Sequence, residues 1–332
     1  MRQRAPFAVL VVATVVFAAC GGDDDAGSGA VVADLEPSRS GILTALPEGI
    51  AATTLSGGYP IYRDDDTGIS AILGTPDLGV GTHRVGFVLT TPEGLVRLPV
   101  LGVESYRLPD GPAGEAVGPI EVGEARFFEF PYGTRGIYSV PLTFDRAGDW
   151  SVRVRIPSVS GEFVTTEFAF TVAEATHAPD VGAAAPASVT RTLAAVGALD
   201  QLSTGHEPDA ALYELTIAEA IATDQPLVIV FASPAFCTNA LCGPQVEVLS
   251  EIAADYQGEV NFVHVDLYQN PHEIQGDLGR AVRTPVLDEW GITTDEWTFI
   301  VDADGRVAAR FEAFVTREEL EASLLEVLST GS

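Results

Sequence analysis

The chain has 332 residues, with 47 acidic against 18 basic side chains and a formal net charge of −29. A surface of that sign repels nucleic acid and anionic membrane surfaces, which excludes polyanionic partners. Hydrophobic content of 46% is enough to fill a core in each of two ordinary domains, and the lack of any lysine removes Schiff-base chemistry.

The first 19 residues read as a signal peptide: Arg2 and Arg4 precede an apolar run too short for an ordinary spanning helix, and small residues lead to Cys20. The segment "FAAC" resembles the bacterial lipoprotein signal, although Phe17 stands where leucine is more usual. That resemblance implies a lipid on Cys20, palmitate among its chains, and an extracytoplasmic protein held to the membrane by lipid alone. Residues 20–40, with "GGDDDAGSGA", read as a flexible acidic tether.

Residues 41–173 alternate with period two between turn residues. "HRVGFVLTTPEGLVRLPVLGVESYRL", "ARFFEFPYG", "GIYSVPLTF", "DWSVRVRIP" and "EFVTTEFAFTV" predict strands, with turns at 92–94 and 146–148. The tyrosine strand, turn and tryptophan strand around Tyr138 and Trp150 resemble the end of bacterial immunoglobulin-like domains, which implies an all-β sandwich. Tyr138 and Trp150 are assigned to its core, and the isolated His83 makes no metal site.

Residues 174–210 are rich in alanine, proline, glycine and aspartate and read as a linker, with "VTRTLAAVGALDQL" as a short amphipathic piece. From residue 211 to 330 the period changes. Leu212, Leu215, Ile217 and Ile221 are spaced for a helix, and "PLVIVFAS" and "VNFVHVDLY" suit buried strands. "GPQVEVLSEIAADY" predicts a helix entered near Gly243 and Pro244, "WTFIVDADGRVAARFEAF" a hairpin turning at Asp304-Gly305, and "TREELEASLLEVL" a helix with a Thr316/Glu319 capping box.

This order, with Cys237 and Cys242 after the first buried strand, resembles a thioredoxin-like α/β domain over residues 212–329. The resemblance implies thiol–disulfide exchange with extracytoplasmic protein thiols or disulfides, in which Cys237 attacks and Cys242 resolves; it calls for no cofactor. An oxidising compartment favours pairing the two sulfurs, since Cys20 is taken by lipid. Four residues separate the cysteines where the family has two. On one continuous helix their α-carbons would lie about 8–9 Å apart, beyond the ~7 Å reach of a disulfide, so Cys237 belongs in a loop. The family's cis-proline position falls at Glu296, between Asp295 and Trp297, and no proline is there. Glu296 and Trp297 are accessory candidates, Glu296 as a proton acceptor near the sulfurs. Two other functions stand beside exchange. One is copper handling through Cys237, Cys242 and His264, with His272 nearby in sequence and only one methionine to support it. The other is a non-catalytic surface binding module stapled by a structural disulfide.

Overall fold

The computed structural model describes residues 59–110, 114–131, 135–158, 161–236 and 242–330. The expected signal peptide and tether, with Cys20, and also Cys237 lie outside the described residues.

Nine strands make the first unit: β1 (Ile61–Arg63), β2 (Ser70–Leu73), β3 (Gly81–Thr91), β4 (Gly94–Leu95), β5 (Val100–Arg107), β6 (Val117–Glu129), β7 (Gly136–Phe144), β8 (Gly148–Pro157) and β9 (Phe163–Val172). They form one antiparallel sheet in the order β1-β2-β3-β7-β6-β5-β8-β9, with β4 paired to β3. The sheet curls until its two ends nearly meet. Tyr62 on β1 donates its hydroxyl to the Ala169 carbonyl on β9, and Val80 N donates to Ala173 O at 3.0 Å. Phe87, Tyr138, Phe144, Trp150 and Phe168 fill the inside.

The expected immunoglobulin-like sandwich is therefore corrected to a nearly closed antiparallel barrel. Period-two alternation says that each strand buries one face; it does not say whether that face meets a second sheet or the far side of its own. Here right-handed twist, accumulated over long strands such as the 13-residue β6, brings the sheet round on itself. The first seven residues of β6, Val117–Gly123, are largely exposed and carry no alternation that predicted them.

The second unit holds β10 (Leu227–Phe231), β11 (Asn261–Val265), β12 (Trp297–Val301) and β13 (Val307–Glu312) in the order β11-β10-β12-β13. Only β10 and β11 are parallel; the other two pairs are antiparallel. Its helices are α1 (Leu193–Val196), α2 (Ile217–Ile221), α3 (Cys242–Asp255), α4 (Pro271–Ile274), α5 (Val286–Glu289) and α6 (Arg317–Thr330). Only α3 and α6, at 14 residues each, exceed five residues.

The expected α/β thioredoxin-like fold for residues 212–329 is likewise overturned. The structure is 38% strand and 21% helix, a barrel-like sheet joined to a small mixed sheet with few helices. Every residue of β10 and β12 is buried, which tells that both sheet faces are covered but not by what. One face meets α3, α6 and the barrel's own Phe130 and Ile137; the other meets Ala178, α2 and the Trp290 region. The helical spacing over 212–221 is also interrupted. Thr216 and Glu219 form a capping box that starts α2 afresh, so Ala210–Tyr213 ends as a separate 3₁₀ turn.

Residues 174–210, read as a linker, run across the mixed-sheet unit. Gly182 N donates to Val307 O at 2.8 Å, Val307 N to Ala183 O at 2.9 Å, and Trp290 Nε1 to Ser188 Oγ at 3.2 Å. The two units also meet through Phe130 on Phe314, ring centroids 4.6 Å apart, and through a polar cluster around Asp77 and Arg310.

Candidate functional site

The exit of β10 leads through Ala232–Phe236 toward Cys237, and the first two residues of that approach are pinned by residues distant in the chain. His264 on β11 lies 2.9 Å from the Ala232 carbonyl through Nε2 and 2.6 Å from the Tyr213 hydroxyl through Nδ1. The arrangement is that of a neutral imidazole: Nε2–H donates to the carbonyl and Nδ1 accepts from the phenol. Complete burial agrees, holding the His264 pKa down to about 4. Next along the chain, Ser233 Oγ lies 3.0 Å from Thr204 Oγ1, which donates to Asp266 Oδ2 at 2.8 Å. Thr204 N and Tyr268 N complete the cradle of Asp266 at 2.7 and 3.1 Å, and burial pushes its carboxyl up to about 6.

Cys242 is the first residue of α3 and fully buried. It does not stand as a free thiol. Its Sγ lies 3.7 Å from the carbonyl oxygen of Asp295. Gln245, three residues on and on the same helix face, is also fully buried and accepts from Val315 N at 2.9 Å. Opposite that face β12 presents Thr298 and Ile300, with Glu296 in the same alternation just ahead of the strand; Glu296 is fully buried and its carbonyl accepts from Ala313 N at 2.9 Å.

Trp297 points the other way. It stacks on Phe299 with centroids 5.4 Å apart, donates Nε1 to Thr294 Oγ1 at 2.8 Å and lies 4.9 Å beneath the Arg310 guanidinium. The Thr294–Trp297 turn thus reaches Cys242 on one side and the junction between the units on the other. There Glu312, buried, accepts from Thr294 Oγ1 at 2.7 Å and Asp77 N at 2.9 Å. Burial and the neighbouring Asp77 carboxylate push the Glu312 carboxyl up to about 8. Asp77 itself is held below the usual carboxylate range: burial opposes this, but Arg310 and two backbone N–H groups outweigh it.

No family model and no curated protein matches the chain. The resemblance over residues 212–329 has no family match behind it, and the chemistry of the site rests on its own residues.

Of the residues singled out from sequence, Cys242, Asp295 and Glu296 come together; Trp297 lies on the opposite sheet face. His264 spends both ring nitrogens inside the protein and has no lone pair to offer a metal. His272 is part-exposed beside Glu273 on α4. Among the described residues no group of three or more histidine, cysteine or acidic side chains is arranged to hold a metal, and no helix is long and apolar enough to cross a membrane. Sequence reasoning missed Tyr213, Thr204, Ser233 and Asp266. Thr204 and Asp266 meet across 62 residues, and no local pattern signals such a contact.

A cleft of about 520 Å³ opens beside the first turns of α3. Its walls are the end of β6 (Phe127–Pro131), α3 (Pro244, Glu247, Val248, Glu251) and the entry of α6 (Thr316–Glu318).

Proposed function

We propose that this chain is an extracytoplasmic thiol–disulfide exchange protein, anchored by lipid at Cys20, that works through Cys237 and Cys242. The observation that carries the reading is the setting of Cys242: buried at the first residue of a 14-residue helix, not a free thiol, and five residues beyond the only other cysteine outside the lipid site. Burial suits a resolving sulfur, which must be reached by its partner and not by solvent.

In the reducing direction the Cys237 thiolate attacks a substrate disulfide, and one substrate sulfur leaves with the bonding pair. Cys242 then loses its proton and attacks the Cys237 sulfur. The second substrate sulfur leaves, and two electrons have passed to the substrate as the protein disulfide closes. The backbone N–H groups at the α3 N-terminus favour the thiolate of Cys242. The Asp295 carbonyl at 3.7 Å opposes it, which favours the closed disulfide after each cycle.

Cys242→Ser is expected to accumulate mixed disulfides on Cys237, and Cys237→Ser to abolish exchange. Equal activity of wild type and both variants, or a wild-type bond that dithiothreitol leaves intact at neutral pH, sinks the reading. The same complete burial of Cys242 favours a second reading, a structural staple, and an inert bond is its signature. The anchor is tested by labelling with a palmitate analogue, which Cys20→Ala is expected to lose.

A further inference from the structure

We propose that the cavity at the open edge of β11 binds a short apolar peptide in extended form, its main chain pairing with that of His264. Binding there does not depend on the exchange reading.

β11 ends the mixed sheet, with β10 on one side and no strand on the other. Two flanking hydrogen bonds fix which of its residues face β10: Asn261 N donates to Pro226 O at 2.8 Å, and Ala232 N to Val265 O at 3.2 Å. Main-chain polar groups alternate sides along a strand, so Asn261, Val263 and Val265 spend theirs on β10, and those of Phe262 and His264 face the open edge. The 3₁₀ turn at Ala210–Tyr213 lies along that edge and makes no main-chain hydrogen bond to it. His264 is only 3% exposed. Its ring is satisfied by Ala232 and Tyr213, but neither its N–H nor its C=O has a hydrogen-bond partner among the described residues. A buried main-chain donor and acceptor left in this way call for a partner from outside.

The cavity beside them measures about 250 Å³. That is below the roughly 300–1,000 Å³ of drug-sized sites, which limits the occupant to a short stretch of chain. Leu202, Val286 and the Tyr268 ring give it apolar walls, and the exposed Val189 extends them at the mouth. Thr190, buried in the wall, accepts from Ile217 N at 3.1 Å and donates to nothing among the described residues, which leaves its hydroxyl hydrogen for a ligand carbonyl.

Three side chains that carry charge line the cavity. Arg191 is held by the Gln201 and Gln269 carbonyls, Glu289 accepts from Ser188 Oγ, and Asp266 is cradled by Thr204 and by Tyr268 N. Arg191 and Glu289 are exposed and opposite in sign, and Arg283 nearby is paired with Asp288. The balance, with Asp266 and, beyond Tyr268, Asp295, is negative and disfavours a ligand carboxylate. A main-chain donor and acceptor on one strand edge, a hydroxyl and apolar walls together match an extended peptide with an apolar side chain, which is the pairing by which a sheet edge takes up an added strand.

The test uses the full chain and the capped peptide acetyl-Ala-Leu-Ala-amide, followed by calorimetry and by the exchange rate of the His264 amide proton. Saturable binding is expected, with exchange at His264 slowed about 10-fold at saturation. The same peptide methylated on each residue's nitrogen keeps its side chains and loses its main-chain donors, and should bind about 10-fold more weakly; so should acetyl-Ala-Asp-Ala-amide. Val189→Trp, at an exposed position, crowds the mouth and should weaken binding severalfold, whereas Val117→Trp, at another exposed valine on β6, should leave it unchanged. No saturable binding up to about 1 mM overturns the inference. So does equal affinity for the methylated or the aspartate peptide, equal effects of the two tryptophan variants, or binding that leaves the His264 amide exchanging at its original rate.

Discussion

Glu312 shows how far burial moves one carboxyl. Its ordinary range lies near 4.5 and its folded value near 8, so between those pH values the folded protein holds a proton that the unfolded chain has released. Stability from this group is complete below the ordinary value and is lost as pH rises toward 8. Asp266, raised to about 6, acts in the same sense over a lower window. His264, lowered to about 4, acts in the opposite sense: its folded state resists protonation, and stability is lost as pH falls from the usual histidine range. Above pH 6.5 the largest remaining change of the three is that of Glu312. The unfolding free energy from urea titration is therefore expected to fall between pH 6.5 and 8.5, by on the order of 1–2 kcal/mol, with the midpoint falling in step, and Glu312→Gln to flatten the dependence. A wild-type midpoint that stays level or rises over that interval contradicts the assignment.

At the scale of elements, local sequence signals decided where helices begin. Thr316 and Glu319 were legible as a capping box, and Glu319 N donates to Thr316 Oγ1 at 3.3 Å while Thr316 N donates back to Glu319 Oε2 at 3.4 Å. Glu319 also pairs with Arg84 of the barrel at 3.1 Å, so the cap and the junction share one carboxylate. Thr316→Ala is expected to cost about 1 kcal/mol through the cap, with Thr316→Ser recovering most of it, read from thermal or urea unfolding. Identical losses for alanine and serine would place the effect elsewhere. Strand signals were equally local: β3, β5, β7, β8 and β9 fall on the alternating runs, β10 and β11 on the continuous apolar ones, and β12 and β13 on the two arms of the expected hairpin. No predicted run covers β1 or β2, and alternation failed in β6, whose first half has no buried face to record.

The whole molecule is held together by a junction that neither unit contains alone. Arg310 on β13 donates to Asp77 Oδ2 at 2.7 Å, His177 N and Ala178 N donate to the same carboxylate at 2.8 and 3.0 Å, and Arg84 reaches the Glu312 and Phe314 carbonyls. Both partners of the central pair are almost wholly buried, at 4% and 8% exposed. Removing Asp77 leaves the buried Arg310 with only the more distant and part-exposed Asp180, at 3.8 Å, which costs on the order of 3 kcal/mol. Asp77→Ala is therefore expected to lower the unfolding midpoint strongly and to split unfolding into two transitions. Trp150 in the barrel reports one, and Trp290 and Trp297 in the mixed-sheet unit report the other. A single transition at the wild-type midpoint would show that the junction does not couple the units.

The sequence by itself determined the local matters: which runs are strands, where α3 and α6 begin, that Tyr138 and Trp150 are core, and that Cys242 meets a helix entry. Each follows from neighbours within a few residues, through side-chain period, capping and turn chemistry. Only the tertiary structure decided what the buried faces meet. It closed one sheet nearly into a barrel where a two-sheet sandwich was expected, and it built a small mixed sheet with few helices where an α/β thioredoxin-like fold was expected. It also gathered Thr204, Ser233 and Asp266 beneath the β10 exit and set Asp77 against Arg310 across 233 residues. Alternation records that a face is buried, and the identity of its cover depends on sheet twist and on contacts between residues far apart in the chain, which no local period encodes.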